Sequence, residues 1–316
     1  MSTVSAVVTS HNQARFVLEA LASIEAQERR PDQVVVVDDA SSDGSRDLIA
    51  AWLSRCGIPG ELVATETNQG ICRVMNLALA RATGDYIAVL HADDTWLPSK
   101  LRVQEAALAA TADDVSLAYS DAEVMDEAGR PLEPSVLDRY GVARPRPSGD
   151  VAAEIIDRSL QLAGHATLVK RRWLAEVGPY DERLRAEDYN MWLRLAVRSR
   201  FLFVDATVAK WRVVSTSLSH VLASIYLEDD LLSVTRVLEE GAEPKELLLR
   251  HQALISTHLY RSGPKARAAV RARIRHERPL RAAALAAVTV GGLVPQSLNL
   301  VARVKRMAGR PHMSVE

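Results

Sequence analysis

The chain has 316 residues, 48% hydrophobic and 25% charged, with only two cysteines. This composition excludes a disordered, low-complexity or disulfide-built protein; Cys56 and Cys72 stand without a CxxC or a histidine at ligand spacing, which also argues against structural zinc. The formal net charge of −1 hides an asymmetry: residues 265–316 carry eleven Lys or Arg against two Glu, leaving 28 basic against 38 acidic residues before them. An acidic body with a basic tail points the tail towards an anionic surface. No basic stretch followed by an apolar run opens the chain, so no secretory signal is read there and a reducing, cytoplasmic location is expected.

Short β-branched runs at 4–9, 33–37, 61–65, 86–90 and 115–120 alternate with helical patterns at 15–26, 45–54, 74–82 and 100–109. Strands alternating with helices of this length read as βαβ units and a mostly parallel sheet flanked by helices. Val34, Val35, Val36 and Val37 are apolar without alternation, as a strand covered on both faces requires. Residues 126–149, with four Pro and three Gly, read as a long surface excursion. Order resumes at 152–160, followed by a strand at 166–169, helices at 172–177 and 188–198, and extended pieces at 201–204 and 208–211. From 217 to 275 the pattern is helical, with breaks near 241–244 and 263–264. The chain therefore divides into an α/β domain over 1–220 and a helical C-terminal region over 221–316. Residues 282–302 carry no charge, but Pro295 and several polar residues interrupt them. Two readings of this stretch stand together: a segment lying on a membrane surface with basic flanks on anionic headgroups, and an Ala-rich helix packed on the body.

In parallel α/β sheets ligands bind beyond the carboxyl ends of strands. Those ends read Thr9-Ser10-His11-Asn12, Asp38-Asp39 running to Asp43, Asn68-Gln69-Gly70 with Arg73 beyond, and His91-Ala92-Asp93-Asp94. Acidic groups thus converge on one edge, where a cation or a hydrogen-bonding ligand would relieve their repulsion. No glycine lies between Thr9 and Arg15, so the pyrophosphate cradle of a nicotinamide-binding fold is missing, as is a Walker A loop. A nucleotide's phosphates would then be neutralised by a divalent cation on Asp93 or Asp94.

Five pieces in order, VVTSHN (7–12), VDDASSD (37–43), NQG (68–70), GDYIAVLHADD (84–94) and AEDYNMWLR (186–194), resemble the motif set of the family 2 glycosyltransferases. The likeness covers about residues 3–220. It implies a GT-A fold and inverting transfer of a sugar from a nucleotide-diphosphate sugar, UDP first among them, to a hydroxyl acceptor, with Mg²⁺ or Mn²⁺. Carried over by motif, Thr9, Asp38, Asp39 and Arg73 bind the nucleotide. Asp93, with Asp94 and His91 beside it, holds the metal and diphosphate, and Asp188 is the general base. His91 departs from the family pattern, which commonly has Asp at that place, and so removes a negative charge. Glu187, Trp96, His165 and Arg212 are further candidates on the donor-loop or acceptor side, and residues 211–219 resemble a segment that closes over the donor.

The position of Asp188 is also argued from its helix. Met191, Trp192 and Leu195 follow it at i+3, i+4 and i+7, so it shares their inward stripe. A carboxylate opening a helix is equally explained as a cap or dipole partner. The basic tail suggests a lipid-linked acceptor or work at the inner face of the plasma membrane, as in envelope polysaccharide assembly. Competing readings are glycosylation of a soluble small molecule and a catalytically silent nucleotide-sugar-binding subunit. Nucleic acid is not an expected partner, because basic residues concentrate in the tail without interleaved aromatics.

Overall fold

The computed structural model describes residues 2–214 and 223–261, with no side chains described at 223–226 and 257–261. The basic tail, the uncharged stretch 282–302 and residues 217–219 of the proposed closing segment lie outside the described residues. The chain divides into two compact units, Met1–Val214 and Ser215–Glu316.

In the first unit, β1 (Val4–Ser10), β2 (Gln33–Asp38), β3 (Gly60–Ala64) and β4 (Tyr86–His91) alternate with α1 (Val17–Glu25), α2 (Ser45–Leu53) and α3 (Ile71–Leu79). The strands lie in the order β3-β2-β1-β4 and all pair parallel. Every residue of β1 is buried, as is the valine run of β2, because helices cover both faces. Helix α1 buries Val17, Ala20, Leu21 and Ile24, an apolar stripe at i, i+3, i+4 and i+7; of the apolar residues its pattern offers, Phe16, Leu21 and Ile24 are buried while Leu18 is exposed. Truncating Leu21 to Ala, at 0% exposure in this core, would cost about 2–5 kcal/mol.

Beyond β4 the sheet changes direction. Strand β8 (Thr167–Lys170) pairs antiparallel with both β4 and β6 (Val115–Met125), and β6 runs parallel to β9 (Arg200–Arg212). A two-residue strand, β5 (Thr95–Trp96), closes the order antiparallel to β9, and β7 (Pro131–Glu133) pairs with β6. The two extended pieces expected at 201–204 and 208–211 are one strand. Between the pairs Tyr119↔Phe203 and Asp121↔Thr207 the register shifts, and a bulge absorbs Asp205 without ending the ladder. The excursion at 126–149 holds β7 and the one-turn helix α5 (Val136–Arg139), which Ser135 caps by accepting from Asp138 N. Helices α4 (Lys100–Ala109), α6 (Ala152–Ile156), α7 (Arg171–Val177) and α8 (Asp188–Ala196) complete the unit, with a 3₁₀ turn at Gly164–Ala166.

In the second unit, α9 (Ala223–Glu239) and α10 (Lys245–Arg261) form a helical hairpin. The break falls where it was expected, with Gly241 at φ +74 after α9. Leu231, Val234, Val237, Leu248 and Ile255 are buried, and Gln252 Nε2 donates to Thr235 Oγ1 at 2.7 Å across the pair. No helix among the described residues is long and apolar enough to cross a membrane.

Candidate active site

Strand register assembles the site. Thr9 lies opposite Val37 on one side and His91 on the other, and Ser10 lies opposite Asp38, so three strand ends open together. Thr9 Oγ1 is 2.8 Å from His91 Nδ1. After β4 the chain turns at once: Ala92 N donates to Thr9 O and Asp94 N to His91 O, both at 3.0 Å, before β5 begins.

The acids at the end of β2 are saturated. Asp38, fully buried, accepts from Ser41 N at 2.9 Å, Arg46 Nε at 2.7 Å and Ser10 Oγ at 3.2 Å. Asp39 accepts from Thr65 Oγ1 at 2.9 Å, Gln69 N at 2.8 Å and Gly70 N at 3.0 Å, which ties β2 to the Asn68-Gln69-Gly70 loop. Between Asp39 and Ser41, Ala40 sits at φ +60, a conformation costing a non-glycine residue about 1–2 kcal/mol. The bonds to Asp38 and Asp39 on either side hold it there.

The acids near the end of β4 stand differently. Asp94 is buried and held at both oxygens: Oδ1 accepts from Arg212 N at 2.8 Å, and Oδ2 lies 3.0 Å from His165 Nδ1. The other ring nitrogen of His165 is buried without a hydrogen-bond partner among the described residues. Asp93 is half-buried, and its carboxylate accepts from no side chain among the described residues. Burial, and then the neighbouring Asp94 charge, push its pKa up to about 6, against the pull of His91. Arg212, 2% exposed, donates from Nε to Asp93 O at 2.8 Å and from Nη2 to Glu19 Oε2 at 2.6 Å, with its guanidinium 4.8 Å from the Phe16 ring centroid. It fastens the Asp93–Asp94 turn to β9 and α1.

Opposite this turn, the start of α8 brings in Glu187 and Asp188. Glu187 Oε1 is 3.5 Å from His91 Nε2. Burial works against a charged His91 ring, but Glu187, and after it Asp94, Asp188 and Asp93, outweigh it and raise the pKa. The surrounding acids thus favour the protonated form of the His91 ring. Burial, then Glu187, push the Asp188 carboxyl up to about 8, with His91 and Arg158 opposing. The helix behind it is buried throughout from Asn190 to Ala196, not on one stripe alone, so tertiary enclosure rather than amphipathicity turns Asp188 inward.

Two candidates have other contacts. Arg73 is exposed on α3, with Nη1 3.8 Å from Glu182 Oε2. Trp96 is 3% exposed in the hydrophobic core, with Lys100 Nζ 5.1 Å from its ring centroid, so the indole packs the core instead of lining a sugar pocket. Sequence reasoning missed Gly164 and Tyr180. Gly164 lies against the Asp188 carboxylate. The Tyr180 phenol is pushed well above its ordinary pKa by burial and then by Asp188 and Glu187. Neither carries a motif; only packing reveals them. A cavity of about 410 Å³ lined by Asp85, Lys170, Arg171 and Arg172 lies at the opposite end of β4. Its basic groups are already engaged: Lys170 Nζ bonds Ala112 O at 3.0 Å and Arg171 Nε bonds Gly84 O at 2.7 Å. The chemistry gathers at the other end.

Among the described residues no three His, Cys, Asp or Glu side chains form a ready metal cage. The donor set nonetheless suits Mg²⁺ or Mn²⁺ shared with a diphosphate, which needs only one or two carboxylates from protein. Asp93 offers a carboxylate that accepts from no side chain among the described residues and whose raised pKa a cation would relieve.

Residues 5–174 match the family described as glycosyl transferase family 2. The succinoglycan biosynthesis protein ExoO of Rhizobium meliloti is 38% identical over 133 residues, which cover 41% of this chain and 36% of that protein. The chain spans between 30% and 40% of the length of the first curated relatives it matches. Among solved structures, S. aureus TarS in complex with UDP-GlcNAc has a TM-score of 0.61 at 18% identity, covering 80% of this chain and 70% of that one. The mannosyltransferase PcManGT from Pyrobaculum calidifontis, in complex with GDP-Man and Mn²⁺, also has a TM-score of 0.61, at 21% identity, covering 92% of this chain and 86% of that one. The sheet with its flanking helices is the GT-A transferase fold. Since the matched span exceeds half of the chain and includes the β1, β2 and β4 ends that meet at the acid cluster, the protein belongs to glycosyl transferase family 2.

Proposed function

We propose that the protein is a metal-dependent inverting glycosyltransferase that moves a sugar from a nucleotide-diphosphate sugar, UDP-sugars first, to a hydroxyl acceptor in polysaccharide assembly. The observation that carries this reading is the meeting of Asp93 on the β4 turn with Glu187 and Asp188 at the start of α8, around His91. The donors named with TarS and PcManGT support a nucleotide-sugar, and the name of ExoO supports polysaccharide assembly.

Inversion at an anomeric carbon needs a base on the face opposite the leaving diphosphate. Asp188 takes that role: a carboxylate that holds its proton up to about pH 8 has the basicity to accept one from an attacking hydroxyl. Asp93 would hold Mg²⁺ or Mn²⁺ together with the diphosphate, and the bound ion would stabilise the charge developing on the leaving group. Asp94, fixed by His165 and Arg212, keeps the turn rigid, so that Asp93 needs no reorganisation to meet its ligand. His91 supplies a ring whose protonation the neighbouring acids favour, where the family pattern commonly has a further negative charge. Thr9, and Asp39 through the Asn68-Gln69-Gly70 loop, frame the nucleotide side.

For the acceptor we propose a lipid-linked glycan met at the inner face of the plasma membrane, on the strength of the eleven basic residues after position 264. Thermal shift with UDP-, GDP- and dTDP-sugars in the presence of Mn²⁺ tests the core proposal. Stabilisation by one donor that EDTA abolishes is the expected result; equal stabilisation in EDTA sinks the metal role. Deleting residues 277–316 is expected to shift the protein from membrane to cytosolic fractions, and an unchanged partition removes the membrane reading.

A further inference from the structure

Gly164 opens the 3₁₀ turn Gly164–Ala166 and is buried. It is not among the glycines with positive φ, so backbone conformation alone does not call for glycine there. Space does. A Cβ at this position would stand 2.9 Å from Asp188 Oδ1, 3.3 Å from Oδ2 and 3.5 Å from Cγ. The carboxylate of Asp188 therefore rests on a bare Cα.

The turn has little room to retreat. Thr167 Oγ1 donates to Gly164 O at 2.8 Å. Ala166 O accepts from Gln104 Nε2, and Thr167 O from Lys100 Nζ, both at 2.8 Å, from two fully buried side chains. His165, next in the chain, is tied to Asp94 at 3.0 Å. Lys100 has no acidic partner among the described residues, and burial drives its pKa well below the usual lysine value; it acts as a brace for a carbonyl. Facing a braced backbone, the group that yields to a methyl at 164 is the short, rotatable Asp188 side chain.

We propose that Gly164 is a positioning residue for glycosyl transfer: its bare Cα sets where the Asp188 carboxylate sits, and a side chain at 164 displaces that carboxylate from the line of the attacking hydroxyl. This rests on the reading of Asp188 as the base. It adds a residue that acts through Asp188 and lies outside the five motif pieces.

The test compares the parent, Gly164→Ala and Asp188→Asn with UDP-GlcNAc and GDP-mannose as donors in Mn²⁺. For Gly164→Ala the expected result is folded protein, a donor KM within about threefold, and a kcat lowered about 10- to 100-fold, the cost of moving a catalytic group by about 1 Å. A kcat within twofold of the parent, with Asp188→Asn inactive, overturns the positioning role and leaves the base assignment standing. An Asp188→Asn variant that turns over like the parent removes the base assignment itself. A matching rise in KM marks general disruption and also counts against positioning. If Gly164→Ala does not fold, the pair Gly164→Ala with Asp188→Ala decides. Recovery of folded protein assigns the clash to the Asp188 side chain, whereas failure of both shows that the turn needs glycine for another reason.

Discussion

Two acidic pairs lie at the carboxyl ends of strands in one sheet and have been put to opposite uses. At the end of β2, Asp38 and Asp39 are filled by donors from Ser41, Arg46, Thr65, Gln69 and Gly70. Near the end of β4, Asp94 is tied down but Asp93 accepts from no side chain among the described residues, and Asp188 across from it is crowded by Glu187; Asp93 and Asp188 both have raised pKa values. Carboxylates that accept several hydrogen bonds build loops, and carboxylates denied them hold unrelieved charge for a ligand or a proton. Proximity to the sheet edge is common to both pairs. The supply of donors separates them.

The sharpest way to break this contrast is Asp188→Asn, which keeps shape and removes the proposed base. Transfer is expected to fall by about 10²- to 10⁴-fold, with donor affinity by calorimetry within a few-fold of the parent. Next in size, Asp93→Asn is expected to weaken Mn²⁺-dependent nucleotide binding by about tenfold or more, one charge-assisted contact being worth about 1.5–3 kcal/mol. Its melting temperature without metal should match or exceed that of the parent, since a charge pressed against Asp94 is lost. Asp38→Ala should do the reverse. Removing the partner of Arg46 and of the Ser41 amide is expected to cost about 3 kcal/mol, read as a melting temperature lower by about 6–12 °C. If Asp38→Ala melts like the parent, the distinction between loop-building and ligand-seeking acids is lost.

The pH dependence is the most diagnostic. A carboxyl raised from 3.8 to about 8 binds its proton more tightly in the folded chain than in the unfolded one. Between those values the folded state holds the proton and the unfolded state does not, so the contribution of Asp188 to stability falls as pH rises through that window. Asp188→Asn, which cannot ionise, should gain on the parent by about 3–4 kcal/mol, or about 6–16 °C, as pH climbs from 5 to about 8. Over the same range the transfer rate of the parent should rise, because the base must lose its proton before it can act. A melting difference that stays flat with pH would show that Asp188 is not held protonated.

Much of this was legible from the linear chain. The valine run of β2 and the apolar stripe of α1 announce buried strands and covering helices, and the polar residues after them mark the strand ends. The α8 stripe was a weaker guide: Met191, Trp192 and Leu195 are buried, but so is every residue from Asn190 to Ala196. Periodicity there could not tell an amphipathic helix from an enclosed one. Two-residue β5 is too short to show a period, and the bulge in β9 hides a continuous strand behind Asp205. Trp96, two residues beyond Asp94, belongs to the core because the chain reverses at Asp94 and pairs Trp96 with Ala209.

By itself the sequence determined the alternation of strands and helices, the family likeness and the identity of the acids near the β4 end, because each depends on residues close together in the chain. Only the tertiary structure decided which acids are satisfied and which are left in conflict. It also decided that His91 faces Glu187, that His165 and Arg212 lock Asp94, and that Gly164 leaves room for Asp188. Those relations join residues from 24 to 118 positions apart, and they turn on donors and volumes that different segments bring to the same point, which no local spacing encodes.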